Sequence, residues 1–276
     1  MKKQTQFSEQ LETFHQLHVG TSPLVLVNVW DAASAMIVQA SGAKALATSS
    51  ASLAWSLGYA DGGDLPVDAL LFAVANIMRV SKLPVTVDIE DGYSDKPEEV
   101  VSLVAELVRL GVVGINIEDG EQSSELLVDK ITAIRASSCC RQVFINARTD
   151  VYLRELVSHD GALDITKSRL KRYQAAGADC GFIPGIDAED IALRLRSDLI
   201  MPLNFMLAGD HLAVSTHAEL LLKQGVIRFS VGPGSFLDTY STLKHRTKLS
   251  VKPFKDNEQR ELLHYNEMNT LVMCTR

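Results

Sequence analysis

Short apolar runs recur along this 276-residue chain at 24–29, 45–49, 85–90, 114–118, 143–147, 180–184, 203–206 and 227–231, and each finishes on polar or acidic residues. The runs are continuous Val, Ile and Ala rather than alternating, the pattern of strands buried on both faces of a parallel sheet. Between them the pattern turns helical. A first amphipathic helix carries His15 and His18. Asp31 is placed to cap a helix ending near Gly42, and Pro66 and Pro97 occupy first turns of helices running toward Ser81 and Gly111. Another helix runs from Asp164 to Gly177, and Thr216 with Glu219 has capping-box spacing for one ending at Gly225. Past the last run, Gly232-Pro233-Gly234-Ser235 leads into helical residues through Lys248, and a polar helix is predicted over about 256–273.

Eight strand and helix units in succession, with no linker or low-complexity break, predict a single α/β domain over 1–276. Its expected architecture is a closed (β/α)8 TIM barrel with additional C-terminal helices. The tail at 250–276 is expected to pack on a neighbouring subunit. An open doubly wound sheet is the alternative, but no Gly-x-Gly-x-x-Gly follows an early strand, which removes the main support for dinucleotide binding. Composition narrows the partners. With 27 basic and 34 acidic side chains the formal net charge is -7, so nucleic acid is excluded as an expected partner. No apolar run reaches a bilayer span, so a membrane is excluded likewise. Met1-Lys2-Lys3 passes into Gln4-Thr5-Gln6 without the apolar core of a secretory signal, and a cytoplasmic location is expected. Cys139 and Cys140 are adjacent and Cys180 and Cys274 stand alone, neither a disulfide framework nor a metal-ligand spacing.

Barrel enzymes gather their chemistry at the carboxyl ends of the strands. There the chain places Asn28 and Asp31, Ser49 and Ser50, Asp88 and Glu90, Asn116, Glu118 and Asp119, Asn146, Arg148 and Asp150, and Asn204. The segment Val85-Thr86-Val87-Asp88-Ile89-Glu90-Asp91 is the most telling, because alternation sets Asp88 and Glu90 on one side of a strand. A divalent cation would answer their repulsion, and hard cations favour a few carboxylates completed by water and substrate oxygens. The bland alternative is an acidic strand end facing water. The planar fork of Arg148 suits a substrate carboxylate or phosphonate, or else an ion pair with Glu118 or Asp150. Ser49 and Ser50 read equally as a helix cap or turn. Trp30 and Trp55 border the expected mouth and read equally as pocket wall or core, and His15, His18, His211 and His217 read as surface or packing residues.

These segments carry a resemblance. Asn28-Val29-Trp30-Asp31-Ala32-Ala33-Ser34-Ala35, Ala47-Thr48-Ser49-Ser50, Gly58-Tyr59-Ala60-Asp61-Gly62, Asp88-Ile89-Glu90-Asp91-Gly92-Tyr93, Gly114-Ile115-Asn116-Ile117-Glu118-Asp119 and Asn146-Ala147-Arg148-Thr149-Asp150 together resemble the isocitrate lyase and phosphoenolpyruvate mutase superfamily. The resemblance covers nearly the whole chain. It implies a (β/α)8 barrel, a homodimer or homotetramer that exchanges its last helix, and chemistry on a small 2-oxo acid or carboxylate with Mg2+ or Mn2+. It further implies Asp88 as direct metal ligand, with Asp61, Glu90 and Glu118 holding metal-bound waters. Ser49, Ser50 and Ala51 match the turn that embraces the substrate, Arg148 the arginine that neutralises an enolate, and Asn204 a substrate-pocket position. Catalytic roles fall by the same match to Arg148, Asp61 and Glu118. In many relatives the residue matching Glu90 is aspartate.

One departure redirects the expected reaction. The Lys-x-Cys-Gly-His loop of the lyases and the Lys-x-Asn-Ser loop of the mutases are both missing, since Gly120-Glu121-Gln122-Ser123-Ser124 passes almost directly into a helix. Phe182-Ile183-Pro184-Gly185 stands where the mutase histidine would fall. The favoured expectation is therefore a metal-dependent lyase or decarboxylase that cleaves a C–C bond through an enolate, since decarboxylation needs an electron sink but no cysteine acid. The alternatives are C–P bond chemistry of the phosphonopyruvate hydrolase or mutase kind, and a non-catalytic protein that binds 2-oxo acids.

Overall fold

The first apolar run divides at Val27, and that division closes the sheet. In the computed structural model, which describes residues 2–186, 194–195, 199–207, 218, 220–224, 226–251 and 262–274, the run forms β1 (Leu24–Leu26) and β2 (Asn28–Val29). β1 pairs with β9 (Val226–Ser230), while β2 pairs with β3 (Leu46–Thr48). Between them lie β4 (Val85–Asp88), β5 (Gly114–Glu118), β6 (Phe144–Arg148), β7 (Cys180–Ile183) and β8 (Leu203–Met206). All pairs are parallel and follow the order β1-β9-β8-β7-β6-β5-β4-β3-β2. Two half-strands thus serve as one, and the molecule is a (β/α)8 barrel, as the succession of units predicts.

Helices surround the barrel: α1 (Lys2–Leu17), α2 (Ala32–Ala40), α3 (Ser50–Ser56), α4 (Val67–Val80), α5 (Pro97–Leu110), α6 (Ser124–Ala136), α7 (His159–Ala176), α8 (Gly234–Val251) and α9 (Tyr265–Met273). Their ends follow local chemistry. Asp31 caps α2 by accepting from the Ser34 amide while the Ser34 hydroxyl accepts from the Asp31 amide. Pro97 opens α5, and Gly111 ends it with a positive φ of 102°. The core runs between the strands and the inner faces of these helices, where Val87, Ile115, Ile117, Val104 and Leu107 are wholly buried. A second cluster seals the amino ends of the strands, with Phe14 of α1 against Leu24, Ala45, Val113 and Phe144. α1 is therefore the plug of the barrel floor, leaving the opposite rim open.

Some sequence expectations change in detail, and others are decided between alternatives. α3 follows β3 directly, so that of the helix cap and the turn left open at Ser49 and Ser50 the structure takes the cap. α7 begins at His159 rather than Asp164. The strand expected to reach Glu90 stops at Asp88, because Asp88 Oδ1 accepts the Glu90 amide at 3.2 Å and Glu90 turns to a φ of 51°. Alternation therefore does not carry Glu90 onto the strand. Of the pocket-wall and core roles open to Trp30 and Trp55 the structure takes the core one, in a third apolar cluster with Phe236, Met268 and Val272. The capping pair Thr216 and Glu219, the expected end at Gly225 and the beginning of the helix expected at Asp256 fall outside the described residues, as do His211 and His217, while residues 218 and 220–223 are helical as expected.

Candidate active site

The carboxyl ends of the strands surround a cavity of about 740 Å3. Ser49, Ser50, Ala51, Asp61, Asp88, Glu90, Glu118 and Arg148 all line it, so the sequence-predicted set meets in one place with one exception. Asn204 is wholly buried and exchanges hydrogen bonds with Ser230, at 3.1 and 3.2 Å, and it is Ser230 that reaches the cavity wall. Asn28 lines the cavity but its amide is spent on backbone, donating to Thr48 O and accepting from the amides of Val231 and Gly232.

Arg148 leaves the end of β6 into a carboxylate vise. Its Nε and Nη2 donate to Asp150 at 2.6 and 2.9 Å, a fork-to-fork pair, and its Nη1 lies 2.8 Å from Glu118. Both of the ion pairs weighed for it from sequence are thus present. Register explains the second, since Glu118 and Arg148 are directly paired across β5 and β6. Asp150 also receives Arg154 Nε at 3.1 Å, and Arg154 Nη1 reaches Glu121 at 3.0 Å, tying the turn after β6 to the turn after β5. The Asp150 amide donates to Asp119, whose other oxygen accepts from Arg169 and Tyr173 on α7. Asp119 is therefore a support for the turn that aims Asp150.

On the opposite wall Thr48 accepts the Asp88 amide at 2.9 Å, and the Ser50 amide points at Asp88 Oδ2 from 3.5 Å. Ser49 caps α3 through the Ser52 amide at 3.3 Å, so the serine pair is a helix cap at a cavity wall. Tyr93 donates to Glu90 at 2.8 Å and Tyr265 to Asp61 at 2.5 Å. Sequence gave no signal for Tyr265 or Arg154, since their arrival depends on chain that folds back from a distance.

The acids are short of positive charge. Burial, first of all, pushes Asp88 upward against the pull of Arg148, and it pushes Glu118 well upward likewise. Glu90 rises to about 7 through burial and the adjacent Asp61 charge. Arg148 is held charged: burial opposes this, but the charges of Glu118 and Asp150 prevail. One guanidinium already shared by two carboxylates leaves Asp88, Glu90 and Asp61 uncompensated, which is the electrostatic demand a cation would meet. Among the described residues no group of three His, Cys, Asp or Glu side chains is arranged to hold a metal ion by itself, so water and substrate oxygens would have to complete any shell. An all-oxygen set of this kind fits a hard divalent ion that keeps several waters, and does not fit zinc.

A (β/α)8 barrel with an acid-rich mouth, an arginine in a carboxylate vise and a serine turn is the arrangement of a carboxylate-processing barrel enzyme. The comparisons make this specific: residues 14–250 match the model of the phosphoenolpyruvate phosphomutase family, and the chain belongs to it. It is 37% identical over 227 residues, 80% of its length and 81% of the other, to an uncharacterised protein of Mycobacterium tuberculosis. It is 30% identical over 272 residues, 91% and 89% of the two chains, to oxaloacetate decarboxylase 1 of Pseudomonas fluorescens. A crystal structure from Burkholderia cenocepacia, provisionally named a phosphonomutase, superposes with a TM-score of 0.80 at 37% identity, covering 87% of this chain and 99% of that one. No helix among the described residues is long and apolar enough to cross a membrane.

Proposed function

We propose that this protein is a Mg2+- or Mn2+-dependent lyase or decarboxylase that cleaves the C–C bond beyond carbon three of a small 2-oxo acid, with oxaloacetate as the type substrate. The observation that carries the reading is the pairing of a cation-demanding acid cluster with a fixed, fully charged Arg148 across one cavity. Asp88 would hold the ion directly, and Asp61, Glu90 and Glu118 would hold its waters. Bound there, the ion supplies Lewis-acid withdrawal of charge from the 2-oxo oxygen.

The chain's own groups do the remaining work. The amides of Ser50 and Ala51, at the first turn of α3, are donors for the substrate carboxylate, where the partial positive charge of a helix start adds to them. Arg148 stabilises negative charge developing on the substrate as the C–C electron pair moves toward carbon two, and its two-sided clamp means that it need not reorganise to do so. Loss of carbon dioxide leaves the enolate of pyruvate, and one proton from cavity water at carbon three completes the balance. The turn at 120–123 offers Glu121 and Gln122 to the cavity and no cysteine, which favours a departing group that needs no acid. The relative named as an oxaloacetate decarboxylase supports the same choice.

The test is pyruvate release from oxaloacetate with Mg2+, beside a parallel screen of C–C cleavable 2-hydroxy and 2-oxo acids and of phosphonopyruvate. Pyruvate formation is expected, and Asp88→Ala and Arg148→Ala are each expected to lower turnover by at least about a hundredfold. Undiminished turnover in Asp88→Ala would remove the metal mechanism, and phosphate release from phosphonopyruvate alone would replace it with C–P chemistry.

A further inference from the structure

Beneath the acid cluster the barrel interior holds an arginine that forms no ion pair with a carboxylate among the described residues. Arg228, on β9, is wholly buried and stands over the Phe14 ring of the α1 plug at 5.9 Å. Its Nη2 donates to Asn116 Oδ1 at 2.9 Å, its Nη1 lies 3.5 Å from His18 Nε2, and its Nε has no hydrogen-bond partner among the described residues. His18 is neutral here, lowered to about 3 by burial and by the Arg228 charge, and its Nδ1 donates to Phe14 O at 2.7 Å. The ring therefore turns an acceptor toward Arg228. Burying a guanidinium on such thin compensation is costly, so its one strong hydrogen bond needs an explanation in function or fold.

That bond decides which way an amide faces. A guanidinium only donates, so the Asn116 atom it touches is the oxygen, whatever the ambiguity of amide assignment elsewhere. Asn146 Nδ2 donates to the same oxygen at 2.8 Å. With Oδ1 held by two donors, the Asn116 NH2 group is turned the other way. Asn116 is 4% exposed, it lines the cavity, and its NH2 makes no hydrogen bond to any described residue. It also stands directly beside Asp88, its register partner across β4 and β5. A buried amide whose acceptor is doubly satisfied and whose donors point into a cavity is a ready hydrogen-bond donor to an oxygen there.

We infer that Arg228 and Asn116 work as a pair in which the buried guanidinium fixes the amide and the amide NH2 donates to an oxygen of the anionic substrate held over Asp88. Asn116 is then a substrate-binding residue and Arg228 a positioning residue that never touches substrate. The inference rests on the reading of the cavity as a 2-oxo acid site, and it adds a donor on the cavity floor to those of Ser50, Ala51 and Arg148. Without Arg228 only Asn146 holds that oxygen, and since Asn146 Oδ1 has no partner among the described residues the two amides can invert together and present the Asn116 oxygen, which repels an anion.

The test is calorimetric titration of the intact protein with oxalate in the presence of Mg2+, with oxalate as the two-oxygen probe. Asn116→Ala is expected to weaken oxalate binding by about tenfold to a hundredfold, the worth of one hydrogen bond to a charged group. Arg228→Met is expected to weaken it too, yet to add nothing in the Asn116→Ala background, whereas a purely structural role would add its loss in both backgrounds. Asn116→Asp guards against misfolding: it is isosteric and gives Arg228 a carboxylate, so it is expected to melt no lower than the parent while binding oxalate more weakly than Asn116→Ala. The Asn116 side-chain amide resonance, assigned by its loss in Asn116→Asp, is expected to shift when oxalate binds. Parent binding that survives unchanged in both Asn116 variants overturns the inference alone. Failure of the parent to bind oxalate overturns the reading of the site and the inference with it.

Discussion

Asp150 shows how much can hang on a single side chain. It is wholly buried, it receives Arg148 through both oxygens and Arg154 through one, and its own amide is anchored on Asp119. Asp150→Asn leaves the two guanidiniums without their common counter-charge, and is expected to cost about 3–5 kcal/mol in urea denaturation. The oxalate complex should weaken with it, because Arg148 loses its aim. His18 gives a second residue-level prediction. Its neutral folded form, with the pKa lowered to about 3 from 6.5, means that the unfolded chain binds a proton the folded chain refuses between those values. Stability owed to His18 is therefore complete above about pH 6.5 and lost on acidification toward pH 3, at about 1.4 kcal/mol per pH unit. His18→Gln is expected to show a shallower decline than the parent over that window, measured by denaturation at each pH. Sequence placed Asp88, Glu118 and Arg148 well, because strand ends in a barrel converge by construction. Of the surface and packing roles read for His18 the structure takes the second, because α1 enters the barrel floor, an event of packing with no periodic signature.

At the scale of elements, turns did more than strands to shape the cavity. The turn after β4 carries Glu90 at a φ of 51° and Gly92 at 96°. A Cβ on Gly92 would sit 2.9 Å from Val100 Cγ2 on α5, so two separate penalties meet there. Gly92→Ala is expected to destabilise by about 1–3 kcal/mol in denaturant titration and to weaken oxalate binding through Glu90. Continuous apolar runs announced each strand, and Gly111 and Gly177 marked helix ends that the structure keeps. α3 was legible only as one of two alternatives, a helix cap or a turn at Ser49 and Ser50, because a seven-residue helix following directly on a strand offers too few turns for a periodic signal.

For the molecule as a whole, the tail helix reaches the mouth and holds one of its acids. Asn269 on α9 accepts from both Trp55 Nε1, at 2.7 Å, and the Asp61 amide, at 3.1 Å, while Tyr265 holds the Asp61 carboxylate. The chain has two tryptophans, and both lie in the apolar cluster that α9 covers. Ending the chain after residue 261 is expected to shift tryptophan emission to longer wavelength and to weaken oxalate binding, while the far-ultraviolet signature of the barrel persists. A tail helix was legible in the sequence, but its grip on Asp61 was not, because a contact between residues this far apart leaves no local trace. The barrel itself was legible because its strands and helices alternate without interruption.

The split first strand has a consequence for how the protein comes into being. Since β1 has β9 for its neighbour and β2 has β3, the opening segment must wait for almost the last strand before its edge is covered. A nascent chain lacking residues 226–230 displays an unsatisfied parallel edge, the kind that recruits other edges. Arg228 arrives with that same strand, so the staple that seals the cylinder also delivers the buried cation under its mouth. Ligand competence and ring closure are in this sense a single event of biosynthesis.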